Sequence, residues 1–163
     1  MNYFKITKFD TANGPGIRVV LWVSGCSHYC KNCQNQETWD PSAGNEFTED
    51  SFKEVIKSID KSFINGITFS GGDPLYPKNK DTITRIAKYI KENYPNKTVW
   101  CYTGYLYEQV KHLDIIHYLD VLVDGEYHDW ERNITLPYCG SENQRVIDVK
   151  KTIQNDKVIL YSN

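Results

Sequence analysis

The sequence predicts an α/β fold, an open, partial (β/α) barrel of parallel strands, built as a single domain over residues 1–163. Three observations lead there. Strand-like and helix-like segments alternate from Gly16 to Asp124, the pattern of right-handed βαβ units on a parallel sheet. The chain has 163 residues, whereas a closed eight-unit barrel usually needs about 250. Residues able to carry chemistry follow two successive strands, and sheets of this kind bind ligands beyond the carboxyl ends of their strands. A small doubly wound sheet satisfies the same alternation.

Met1–Asp10 alternates polar and apolar residues and lacks the apolar centre of a signal peptide. Gly16–Gly25 (GIRVVLWVSG) reads as the first buried strand, rich in β-branched and aromatic residues and closed by glycine. Cys26–Glu46 has no periodicity and reads as a long loop, a length that usually signals function or disorder. Thr48 caps a helix running to about Phe63, with Phe52, Val55, Ile56, Ile59 and Phe63 on one face. Gly66–Ser70 is the second strand, and Ser70–Pro74 (SGGDP) is the turn after it. Asp81 caps the next helix, which buries Ile83, Ile86, Ala87 and Ile90 and stops before Pro95. Thr98–Tyr102 is the third strand, Tyr107–Ile116 a short helix and Val121–Asp124 the fourth strand. Beyond Gly125, Arg145–Val149 and Val158–Tyr161 read as further strands.

Hydrophobic residues make up 40% of the chain and charged residues 25%, a globular composition. The formal net charge is −2, so there is no basic footprint for a nucleic-acid partner. The longest apolar run, Val19–Val23, is strand-sized, which predicts a cytoplasmic protein with no membrane partner. Five cysteines are present, at 26, 30, 33, 101 and 139. An odd count with three in one short segment points to metal binding rather than disulfides.

The cluster reads Cys26-Ser-His-Tyr-Cys30-Lys-Asn-Cys33. Thiolates are soft ligands for zinc or iron–sulfur clusters. Three of them can each take one iron of a four-iron cubane, leaving the last iron open for chemistry. The alternative is a structural zinc ion with His28, Cys101 or Cys139 as fourth ligand, although no second cysteine pair of the usual zinc-ribbon kind exists. In the turn, Gly71 and Gly72 allow close backbone approach, Asp73 can bind an ammonium group, and Pro74 holds the shape. Gly14-Pro15-Gly16 is a rigid turn, and Arg18 faces a substrate or pairs with an acid. Thr103, Tyr105 and Asp124 stand at strand ends. His28 reads as an exposed loop residue, Cys101 as a packed small hydrophobe, and Tyr127 and Trp130 as part of a docking face.

Cys-x-x-x-Cys-x-x-Cys after one strand, then Gly-Gly-Asp-Pro after the next, resembles the radical S-adenosylmethionine superfamily. Asn13-Gly-Pro-Gly-Ile-Arg18, Thr68–Leu75, Tyr102–Tyr105, Val123–Gly125 and Ser141–Arg145 extend the resemblance in order along most of the chain. Within the superfamily they resemble the activating proteins of anaerobic ribonucleoside-triphosphate reductases.

The resemblance implies a 4Fe-4S cluster on Cys26, Cys30 and Cys33, with S-adenosyl-L-methionine as cofactor at the open iron. It assigns Gly71, Gly72, Asp73 and Pro74 to the methionine amino group, the backbone at Asn32 to the adenine, and Cys33 and Gln34 beside it to cofactor binding. It implies no catalytic side chain beyond the cluster and cofactor. It further implies an oxidoreductase activity that generates a glycyl radical on the large anaerobic ribonucleotide reductase subunit, with an electron donor such as flavodoxin. Another glycyl-radical enzyme or a small molecule is the alternative substrate, and a non-catalytic zinc module is the alternative class. Two residues depart from the pattern: Asn32 stands where relatives often carry an aromatic residue, and Asn13 where they often carry aspartate.

Overall fold

The computed structural model describes residues 1–163. Its strands are β1 (Asn2–Asp10), β2 (Arg18–Val23), β3 (Asn45–Glu46), β4 (Gly66–Gly71), β5 (Thr98–Tyr102), β6 (Val121–Asp124) and β7 (Arg145–Asp148). Its helices are α1 (Glu49–Ile59), α2 (Lys80–Asn93), α3 (Tyr107–Val110) and α4 (Val149–Asn155). The strands form one open seven-stranded sheet in the order β3-β1-β2-β4-β5-β6-β7.

The expected parallel sheet is present at its centre, where β2, β4, β5 and β6 pair in parallel. It is corrected at both edges. β1 runs antiparallel to β2, β3 antiparallel to β1, and β7 antiparallel to β6. The physical reason lies in the connections. Parallel neighbours need a crossover of a dozen or more residues, usually a helix. Thr11–Ile17 is too short for one, and the Gly125–Gln144 excursion holds only a 3-10 turn at Asp129–Glu131. The α/β class therefore stands, but as a mixed sheet that does not close.

Thr48 caps α1 as its sequence suggests: its Oγ1 accepts from Ser51 N at 3.3 Å, and Ser51 Oγ accepts from Thr48 N at 3.1 Å. The helix stops at Ile59, short of the exposed Phe63. Asn79, not Asp81, precedes α2. The helix expected over 107–116 divides into α3 and a 3-10 turn at Asp114–Tyr118. Residues expected to end a strand at Val149 instead begin α4, where Asp148 Oδ1 accepts from Lys151 N at 3.0 Å. Val158–Tyr161 supplies one isolated bridge, from Leu160 to Ile147.

Alternation along the strands separates two faces. Val19, Leu21, Val23, Ile67, Phe69, Val99, Cys101 and Leu122 join Val55, Ile59, Ile83, Ile86 and Ile90 in one core beneath the helices. The opposite face carries no helix, which excludes a doubly wound sheet. There Trp100, Val121 and Val123 are covered by Tyr138 and Tyr161.

Arg18 starts β2 on that second face and is fully buried. No carboxylate meets it. Its guanidinium donates to Thr68 Oγ1 (2.8 Å), Thr98 Oγ1 (2.8 Å) and the carbonyls of Ile67 (2.7 Å) and Thr98 (3.0 Å), and it lies against Trp100. Burial pushes it down to about 10. Arg18 thus ties β2, β4 and β5 together at their amino ends, away from the cysteine loop.

Asp120 makes a second knot. Its carboxylate accepts from Val99 N (2.8 Å), Lys91 Nζ (2.9 Å) and Lys150 Nζ (2.8 Å), joining α2, β5 and α4. Burial pushes Asp120 up, but the bonds from Lys150, Lys91 and Val99 prevail and hold it below its ordinary 3.8. The stabilisation is then complete above the ordinary value and is lost as pH falls through the folded one. Asp120→Asn should cost about 1–3 kcal/mol at neutral pH. Urea unfolding across a pH series should show the gap to wild type closing below pH 3.8.

Candidate metal centre

The carboxyl ends of β2, β4, β5 and β6 converge on one cavity. Its walls include Cys26, His28, Cys30 and Cys33 from the loop after β2, Gly71–Asp73 from the end of β4, Thr103 and Gly104 after β5, and Glu126 and Tyr127 after β6. The two motifs separated in sequence therefore share a rim, as the parallel order requires.

Backbone bonds lock these loops before any side chain contributes. Gly25 N donates to Thr38 O at 2.7 Å and Cys26 N to Trp39 O at 3.1 Å, closing the base of the cysteine loop. Gly72 N donates to Val23 O and Asp73 N to Gly25 O, each at 2.8 Å, so the turn is stitched onto the root of that loop. This approach demands glycine. A Cβ on Gly72 would sit 2.5 Å from Gly25 O, and one on Gly71 would sit 2.6 Å from the Val23 backbone at a φ of +105°.

All three thiols of the motif are free and half-buried. Tyr29 and Asn32 adopt left-handed conformations, with φ of 50° and 57°, and reverse the chain on either side of Cys30. Desolvation pushes Cys26 up to about 11, with Asp73 and Cys30 adding to it, and pushes Cys30 up with help from Glu126 and Cys33. Negative charge on Cys26 and Cys30 is disfavoured here until a cation compensates it. No trio of His, Cys, Asp or Glu side chains stands close enough to hold a metal ion as it is. The donors are thiophilic in kind and share one cavity wall, which suits an iron–sulfur cluster rather than a single ion held as they stand.

Asp73 is 2% exposed. Its carboxylate accepts from Leu75 N (2.8 Å), Thr103 Oγ1 (2.9 Å), Gly104 N (3.0 Å) and the His28 ring at Nε2 (2.8 Å). Asn79 Nδ2 steadies the same turn by donating to Asp73 O and Ser24 O. The carboxylate expected to bind an ammonium group is thus already the buried junction of three loops.

His28 is not the exposed residue that its polar loop suggests. Its side chain is 10% exposed and lies between Asp73 and Glu126 Oε1, the latter 2.9 Å from Nδ1. Carboxylates only accept, so both contacts are satisfied when both ring nitrogens carry hydrogen. The bond to Asp73 raises the imidazole above its ordinary value against the opposing effect of burial.

The remaining expected residues divide clearly. Cys33 lines the cavity; Asn32 and Gln34 are exposed beside it, and Pro74 is buried behind the turn. Asn32 Nδ2 donates to Asp129 Oδ2 at 2.8 Å. Asp124 is buried, holds Arg145 and accepts from Tyr107 N, so its role is structural. Asn143 and Gln144 donate to the carbonyls of Glu126 and Gly125 and shape the loop after β6. Tyr127 lines the cavity, while Trp130 is exposed and stacked on His128. Glu126 and Asn79 were not singled out by sequence; the position of Glu126, just beyond the end of a strand, was the available signal.

Gly72→Ala should destabilise the protein by about 1–3 kcal/mol through overpacking against backbone. A lowered denaturation midpoint checks this, and an unchanged one contradicts the backbone stitching.

A family model described as a 4Fe-4S single cluster domain matches residues 12–147. The chain is 43% identical over 148 residues to the anaerobic ribonucleoside-triphosphate reductase-activating protein of Enterobacteria phage T4, covering 90% of this chain and 93% of that one. It is 36% identical over 148 residues to the protein of that name from Vibrio cholerae, covering 88% and 96%. It is 36% identical over 150 residues to the one from Escherichia coli, covering 90% and 97%. With these matches spanning both the cysteine loop and the Gly-Gly-Asp turn, the chain belongs to the family of anaerobic ribonucleoside-triphosphate reductase-activating proteins.

Proposed function

We propose that the chain is a radical S-adenosylmethionine activase that generates a glycyl radical on the large subunit of an anaerobic ribonucleotide reductase. The observation that carries this reading is the single cavity lined by Cys26, Cys30 and Cys33 on one side and Gly71–Asp73 on the other. A 4Fe-4S cluster with S-adenosylmethionine at its open iron supplies, when bound, a one-electron cleavage to methionine and a 5′-deoxyadenosyl radical that takes hydrogen from the target glycine.

The chain's own residues hold and orient. The three thiolates take three irons. Cys101 points into the helix-covered core and Cys139 packs beside Trp100, so neither lines the cavity, and both ring nitrogens of His28 are engaged. That distribution favours an open corner over a closed zinc site. Gly71–Pro74 receives the methionine end, and Asn32, Cys33 and Gln34 the adenine side. No Lys or Arg lines the cavity, while Asp73 and Glu126 do, and an acidic lining suits a cofactor bearing sulfonium and ammonium charges.

The open mixed sheet is read as a partial barrel whose mouth, at the rim that carries the cavity, admits a protein loop. The reading makes the protein a single-domain cytoplasmic oxidoreductase supplied by an electron donor such as flavodoxin. No helix is long and apolar enough to cross a membrane.

Protein purified without oxygen should be brown, contain iron and sulfide, and lose its colour in Cys30→Ala. With dithionite and S-adenosylmethionine it should form 5′-deoxyadenosine. With the reductase it should give a glycyl signal in electron paramagnetic resonance. A colourless protein holding one zinc and no sulfide refutes the reading. Deoxyadenosine formed only with a small substrate moves the activity to that substrate.

A further inference from the structure

We propose that His28 is a positioning residue that fixes the cysteine loop against the Gly71–Asp73 turn. It thereby sets the separation between the metal ligands and the surface that receives the cofactor's methionine end. The inference rests on the activity proposed above and adds a residue to it.

The geometry is specific. His28 lies between Cys26 and Cys30, in the middle of the ligand segment. Its Nε2 is 2.8 Å from Asp73 and its Nδ1 2.9 Å from Glu126, so one ring joins the cysteine loop to the segments after β4 and β6. Within residues 26–33 no other side-chain hydrogen bond reaches the ends of β4 and β5. Asn32 ties the far end of the segment to Asp129 instead. Cys26 N bonds the returning limb of the same loop at Trp39.

The slot that receives the ring is shaped for it. Tyr105 meets the imidazole edge-on at 4.6 Å between centroids. Gly104 lies against its other atoms, and a Cβ there would stand 2.5–2.7 Å from three of them. The backbone after β5 is thus cleared for the imidazole while donating its own Gly104 N–H to the same Asp73 oxygen at 3.0 Å. Thr103 and Leu75 fix the rest of the carboxylate, so His28 is the one donor to Asp73 that comes from the metal-binding loop. Loss of the ring would leave Asp73 bonded and the loop held to it at its root alone, through Asp73 N and Gly25 O, with the segment between Cys26 and Cys30 untied from the turn.

The test compares wild type, His28→Ala and His28→Gln, each loaded with cluster without oxygen. Iron and sulfide content, the dissociation constant for S-adenosylmethionine, and the cofactor-induced change in the spin-resonance signal of the reduced cluster are measured. His28→Ala should load iron and sulfide like wild type but bind the cofactor about tenfold more weakly, in the range found for residues that orient ligands through hydrogen bonds. Its signal should respond less to the cofactor. His28→Gln, whose amide can still donate to Asp73, should recover part of both.

Wild-type affinity and signal response in His28→Ala overturn the proposal, as does a His28→Gln as impaired as His28→Ala. Should His28→Ala lose its cluster, Glu126→Ala and Glu126→Gln decide together: both remove the charge from the cavity lining, and only the amide can still accept from the ring at Nδ1. Weaker binding in Glu126→Ala than in Glu126→Gln supports the proposal, and equal binding in the two overturns it. Wild-type holoprotein that binds no S-adenosylmethionine sinks the activity as well, whereas the other failures sink only the role of His28.

Discussion

A single buried carboxylate organises the functional end of this molecule. Asp73 sits two residues beyond β4 at 2% exposure, where an unpartnered negative charge would be prohibitively costly. Its donors come from its own turn, from the segment after β5 and from the cysteine loop, so satisfying one charge brings three loops together. Arg18 solves the same problem at the amino ends of the strands with neutral hydroxyls and carbonyls instead of an opposite charge. Asp73 joins loops at the carboxyl ends of the strands and Arg18 joins the strands themselves, and Arg18 does so without an ion pair to Asp or Glu.

The sheet topology explains why chemistry sits at only one end. Parallel β2, β4, β5 and β6 all finish on the same rim, and their following loops supply every wall of the cavity named above. The antiparallel edges contribute differently. The long return from β6 to β7 brings Glu126, Tyr127 and Gln144 over the cavity and Tyr138 onto the helix-free face, where it meets Trp100 edge-on at 4.9 Å. An all-parallel sheet with a helix in that crossover would have lost these residues from the site.

What could be read from the chain, and what could not, follows from distance along it. The cysteine spacing, the Gly-Gly-Asp turn and the Thr48 cap are local, and each appears in the structure in the expected place. The partners of His28 lie 45 and 98 residues away, so no local pattern distinguishes it from an ordinary loop histidine. β1 is different: polar–apolar alternation over Met1–Asp10 is visible in the sequence, while register shifts between Tyr3 and Lys5 and between Thr7 and Asp10 make its burial irregular in the structure. The antiparallel edges were hidden because strand patterns carry no direction; only connection length does, and it was the short Thr11–Ile17 link that held the information.

The exchange at Asn32 can be understood in the same physical language. Its φ of 57° is a conformation in which residues with large side chains are disfavoured and asparagine is tolerated. An aromatic residue at such a position must offset that strain by packing. Asparagine carries less of the strain and instead donates to Asp129 Oδ2 at 2.8 Å, fastening the outer end of the cysteine loop to the excursion after β6. The left-handed conformations at Tyr29 and Asn32 reverse the chain on either side of Cys30, so backbone geometry rather than a ring at position 32 is what turns Cys30 and Cys33 toward one cavity.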